Sequence, residues 1–178
     1  MNKINTPEKA YGLETPLEHI LTHKCKAEMI AYMGENPDKF DELLLLALSN
    51  KQPYSRKATF LLQNCMSDNE PFLYEHTGKI IELLPTVCES QQRIFLMILQ
   101  RMQMNRNEEK KLFDICISIW NNMNAAPAVK YNAFKILVNI ARKYPELSDT
   151  IKNLTTSHYM DSLSKGTKHS VSLIVSKL

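Results

Sequence analysis

One apolar pattern returns through the chain at nearly constant distance, and few folds accommodate such a return. Ala58, Leu61, Leu62 and Cys65 stand at offsets 0, +3, +4 and +7, which align side chains on one stripe of an α-helix. The same offsets recur at Phe95, Ile98, Leu99 and Met102, at Ala133, Ile136, Leu137 and Ile140, and at Val171, Ile174, Val175 and Leu178. These stripes start 37, 38 and 38 residues apart. A shorter copy begins at Ala27 with Ile30, Ala31 and Gly34, as an irregular first unit would. Between the stripes lie second apolar segments, in which Leu43, Ile80, Ile117 and Leu154 follow one another at 37 residues each time. Each unit reads as two antiparallel helices, A then B.

Such a unit has apolar surface on both sides and cannot bury it alone, so neighbours must stack into a continuous core. A compact bundle with an accidental period is the rival, but its helices need share no length. Pro37, Pro53, Pro71, Pro127 and Pro145 mark the breaks, where proline ends one helix or starts the next. Thr15-Pro16-Leu17-Glu18 is a capping box that starts the first helix. The pattern predicts helices over about 16–34, 38–50, 54–67, 71–88, 90–104, 107–124, 127–143, 146–163 and 167–177. No strand-like alternation persists, and no Asn-Gly or Asp-Gly hairpin signal occurs. The expected fold is all-α: an α-α superhelix of about four antiparallel pairs and roughly nine helices. Residues 15–178 would form a single repeat domain behind an N-terminal arm, 1–14.

The segments "VKYNAFKIL" and "SRKATFLL" carry a likeness to a known family. Each pairs a basic residue with a small residue and then leucine, and so resembles the B-helix core of HEAT and armadillo repeat proteins. The resemblance covers roughly residues 27–178. It implies a solenoid whose B helices line the concave side, and a role in binding other macromolecules.

Charge and motif content narrow the function further. The net charge of +3 conceals a split: residues 1–89 hold 9 Lys+Arg against 13 Asp+Glu, and residues 90–178 hold 13 against 6. Solvated faces account for this, although the basic half could also orient an acidic partner. No G-x-S-x-G occurs, and "TGKII" at 77–81 lacks the glycines that cradle phosphate, so no enzyme is expected and no cofactor. Glu108 and Glu109 follow Asn107 at a helix start, where they offset the macrodipole. Asp38, Asp41 and Glu42 invite the same reading. The start has no apolar h-region, and the longest apolar run, "IFLMIL", is far below the ~20 residues of a membrane span. A cytoplasmic protein is expected, with no membrane partner. Cys25, Cys65, Cys88 and Cys116 are widely spaced, and Cys65 and Cys116 read as buried thiols.

His19 and His23 stand four apart, a spacing that can grip zinc from one helix face. The segment "HILTH" lacks the glutamate of H-E-x-x-H and no third ligand is evident, so no metal is assigned. Basic residues recur at the starts of B helices: Arg56 and Lys57, Arg93, Lys130 and Lys168. They could line a positive concave stripe, as in bacterial alkylpurine DNA glycosylases that resemble this architecture. Trp120 falls on an A helix, on the other side, and +3 is modest beside the phosphate energetics of DNA binding. "RIFLMILQRMQM", residues 93–104, has no polar face through nearly two turns. A helix apolar all round is buried all round or awaits a partner. Its central place favours core, while Met97, Met102 and Met104 would suit an adaptable surface. The candidate partner-binding residues are Arg56, Arg93, Met97, Lys130 and Lys168. Protein is the expected partner, with nucleic acid the alternative.

Overall fold

A computed structural model describes residues 14–161, 163–176 and 178. Residues 1–13 of the expected arm lie outside the described residues. The helices are α1 (Pro16–His23), α2 (Lys26–Glu35), α3 (Phe40–Leu48), α4 (Tyr54–Cys65), α5 (Thr77–Leu83) and α6 (Glu89–Leu99). They continue with α7 (Arg106–Asn121), α8 (Pro127–Lys143), α9 (Ser148–Asn153), α10 (Ser157–Met160) and α11 (Lys165–Val175). No strand occurs among the described residues. The chain is an all-helical repeat array.

Its layers follow from the period. The B helices form one row, with α2 against α4, α4 against α6, α6 against α8 and α8 against α11. In a second row α3 packs on α5 and α5 on α7, while α3 pairs with α4 and α7 with α8. Prolines enter the second row in a regular way. Short 3-10 turns at Pro37–Lys39, Pro71–His76 and Pro145–Leu147 each lead directly into α3, α5 and α9. Proline suits such a position because it has no N–H to leave unsatisfied.

The stripes are buried where the array is thickest. Ala58, Leu62, Phe95, Leu99, Ala133, Leu137 and Val171 are fully enclosed. In α6, Ile94, Phe95, Leu96, Ile98 and Leu99 are all buried and only Met97 is half-exposed. The helix apolar all round is core, because α4 and α8 cover its two flanks.

Several local expectations shift. The helix predicted over 16–34 is two, broken at Lys24–Cys25, because Cys25 N–H donates to Glu28 Oε2 (2.9 Å) and restarts the helix. The predicted 146–163 is likewise divided between α9 and α10. In the first unit Met29 and Met33 are buried, while Ala27, Ala31 and Gly34 are exposed, so the short stripe was placed two residues early. In α7 Cys116 and Ile119 are buried, while Ile117 between them is only half-buried. In and just after α11, Ile174, Val175 and Leu178 are only half-buried.

Polar ties fix how neighbours meet. Buried Gln91 of α6 donates through Nε2 to the Ala47 carbonyl (3.0 Å) and to Thr59 Oγ1 (3.1 Å), joining α6 to α3 and α4. Arg101 donates from Nη1 to the Gln63 carbonyl (3.0 Å), from Nη2 to that of Met66 (2.7 Å) and from Nε to Asp68 (2.6 Å). It thereby satisfies carbonyls at the end of α4 that the helix itself leaves unpaired. Gln100 Nε2 donates to Asn132 Oδ1 (3.1 Å), joining α6 to α8. Trp120 Nε1 donates to the Leu154 carbonyl (3.0 Å), and its ring packs 4.4 Å from that of Phe134.

Candidate functional site

The expected basic residues sit near the starts of α4, α6, α8 and α11. Their environments differ. Arg56 is exposed at the rim of an apolar cleft of about 360 Å³ lined by Leu21, Met29, Phe60 and Ile94. Lys57 lies at the same rim, and Lys26 Nζ stands 5.6 Å from the Phe60 ring centroid. The cleft therefore joins an apolar floor to a cationic edge. Arg93 is exposed on α6, and Met97 lies half-buried one turn further on.

Lys130 departs from the expected stripe. It is 1 % exposed, with its ammonium 5.4 Å from the Trp120 ring centroid, and burial pushes its pKa below the ordinary lysine value. The reason lies in register. Residue 130 adjoins the fully buried Val129 and Ala133 and faces the α7 side, where Trp120 fills the core. Lys130 is thus a packing residue rather than part of a surface. Lys168 is half-buried and stands 3.9 Å from Asp161. The basic row is interrupted in the middle.

Two further clefts lie at the α7–α8 end. A cleft of about 530 Å³ is lined by Arg106, Lys110, Phe113, Ile140 and Tyr144, with Glu109 between it and a second cleft of about 350 Å³. Glu109 is not a solvated first-turn carboxylate as its position suggested. It is buried, ion-paired with Lys143, and accepts from Tyr144 Oη (2.9 Å). The hydrogen bond to Glu109 pushes the Tyr144 phenol above its usual pKa. Glu108 does cap α7, accepting from Asn105 N–H (3.0 Å). Glu109, Tyr144 and Glu108 are thus each engaged by structural partners.

At the other end, His19 and His23 stack with ring centroids 4.2 Å apart and planes 17° from parallel. Glu14 joins them, its Oε2 lying 3.7 and 4.0 Å from the two Nδ1 atoms. Nothing in the local spacing points to Glu14. It precedes the capping box, and only the turn of the chain there brings it back over the helix. Cys25 and Cys88 are exposed, Cys116 is buried, and Cys65 is half-buried rather than enclosed.

Among the described residues no helix is long and apolar enough to cross a membrane. A family model described as a HEAT repeat domain matches residues 13–178. Neither the curated proteins nor the solved structures contain a match.

Proposed function

This chain belongs to the HEAT repeat family, and from that premise we propose that it is a non-enzymatic cytoplasmic scaffold that binds another protein along its B-helix row, the concave side in this reading. The observation that carries the proposal is the cleft between α2, α4 and α6. Its apolar floor of Leu21, Met29, Phe60 and Ile94 is edged by Arg56 and Lys57. That combination suits an apolar anchor side chain flanked by acidic residues, because the anchor supplies burial and the cations supply orientation. Arg93 and Met97 extend the same surface along α6.

Nucleic acid is the weaker reading. Phosphate binding draws on several cations acting together, and enclosure of Lys130 removes one from the middle of the row. The N-terminal half, which holds Arg56, is also net acidic.

A panel of synthetic peptides, each with one aromatic or aliphatic anchor between acidic residues, tests the proposal by fluorescence anisotropy. Peptides that bind should lose at least tenfold in affinity on Arg56→Glu, and on Phe60→Ala. Mixed-sequence duplex DNA should bind weakly even at low salt. Tight duplex binding that Arg56→Ala, Arg93→Ala and Lys168→Ala together abolish, with no peptide telling wild type from variant, would overturn it.

A further inference from the structure

We propose that Glu14, His19 and His23 form a site for one zinc ion at the start of α1. Each residue offers one ligand atom, and the three atoms lie within 4.8 Å of one another. The separations of 3.7 and 4.0 Å between Glu14 Oε2 and the imidazole nitrogens are too long for hydrogen bonds. The 3.7 Å between Glu14 Oε2 and His19 Nδ1 is close to the spacing of donors that share an ion. With zinc about 2.0–2.1 Å from each ligand, tetrahedral donors stand roughly 3.4 Å apart. The three donor atoms lie within 4.8 Å of one another, and turning the two stacked, exposed imidazoles about their side-chain bonds brings them to that spacing around a cation.

The scaffold for these ligands is already in place. His19 and His23 are one helical turn apart, so α1 sets them on one face. The backbone beside Glu14 is held by the reciprocal capping box, in which Thr15 Oγ1 accepts from Glu18 N–H and Glu18 accepts from Thr15 N–H. Tyr54 of α4 donates its hydroxyl to Glu14 Oε1, which leaves Oε2 turned to the imidazoles. His23 Nδ1 is engaged by Thr22 Oγ1 (2.8 Å) and the His19 carbonyl (3.2 Å), so Nε2 is left as that ring's nitrogen for a metal. Hydrogen bonds of this kind from the second ring nitrogen are what orient metal-binding histidines.

Two imidazoles and one carboxylate favour zinc over calcium or magnesium, which prefer oxygen donors throughout. All three ligands are exposed, so water can supply the fourth position. The site is a clip rather than a catalytic centre. Glu18, the further carboxylate on α1, is buried and occupied by Lys51 and the Thr15 N–H, so it is not free to act as a base beside the ion. Zinc here would tie the segment entering α1 to α1 itself and, through Tyr54, to α4.

The test uses the tag-free full chain, stripped with chelator and titrated with zinc chloride by calorimetry, and with cobalt(II) by visible spectroscopy. We expect saturation at one equivalent and the d–d bands of four- or five-coordinate cobalt. His19→Ala and His23→Ala should each weaken zinc at least tenfold, and Glu14→Gln severalfold, while the metal-free melting temperatures stay unchanged because all three side chains are exposed. Cys25→Ser with Cys88→Ser should leave the stoichiometry at one. No saturable zinc, retention of one equivalent after both histidines are removed, or loss with the cysteine changes instead would each overturn the site.

Discussion

Lys130 shows how much one side chain's surroundings can alter its meaning. It lies three residues ahead of its stripe, where Arg56 and Arg93 lie two ahead of theirs and face solvent, and it is enclosed beside Trp120. Its stem is part of the core, so Lys130→Ala should cost about 2 kcal/mol, from roughly 0.8 kcal/mol per buried methylene. Arg56→Ala, at an exposed position, should change stability by no more than about 0.5 kcal/mol. Chemical denaturation of the two variants checks the contrast. A pH effect accompanies it. Burial lowers the Lys130 pKa in the folded state, so the unfolded chain binds more protons between that lowered value and the ordinary lysine pKa near 10.4. Stability from this group therefore rises with pH across that alkaline window, and the penalty is fully present below it. Lys130→Met should flatten the rise. Equal losses in the two alanine variants, or an unchanged pH profile in the methionine variant, would mean that Lys130 is solvated.

At the scale of elements, the central helix α6 depends on polar anchors as much as on its apolar surface. Gln91 satisfies the Ala47 carbonyl inside the core, and Arg101 closes the end of α4. Removing a partner from a buried acceptor costs about 1–3 kcal/mol. Gln91→Ala and Arg101→Ala should each lose stability in that range, and Leu99→Ala about 2–5 kcal/mol as a large-to-small core change. Val175→Ala, at the matching but half-buried place in α11, should lose clearly less than Leu99→Ala. Thermal melts that rank Val175 with Leu99 would contradict the fading of the core toward α11. The period itself was legible because an offset of 3 and 4 has one geometric meaning on a helix, and Leu62, Leu99 and Leu137 fell where that meaning put them. The first unit was less so. Cys25 acts as a backbone N-cap, which its residue type does not advertise, and the break it makes moved the buried positions to Met29 and Met33. Enclosure of Lys130 and Glu109 was hidden for another reason. It depends on residues about 10 and 34 positions away, Trp120 and Lys143, whose approach follows from packing between helices rather than from local spacing.

Taken whole, the array has a thick middle and a thin end. Ten residues of α8 are buried, whereas in α11 only Val171 is. Because each unit leans only on its neighbours, local opening should start where the lean is weakest. Amide hydrogen exchange should therefore run faster in α11 than in α6 or α8, and mass spectrometry of peptic fragments can rank them. Uniform protection along the chain would show instead a single cooperative block. The polar ties have a different consequence, for how such a protein can change over generations. In arrays whose junctions are all alike, a unit can be duplicated or lost and its neighbours still fit. Here the junctions are not alike: Gln91 reaches Ala47 and Thr59, Gln100 reaches Asn132, and Trp120 reaches Leu154. Each bond works as an address that only one neighbour answers. Excising the unit that begins at Pro71 would bring together surfaces with mismatched addresses and leave donors and acceptors stranded in the core. The units are related in shape, but they are no longer interchangeable parts.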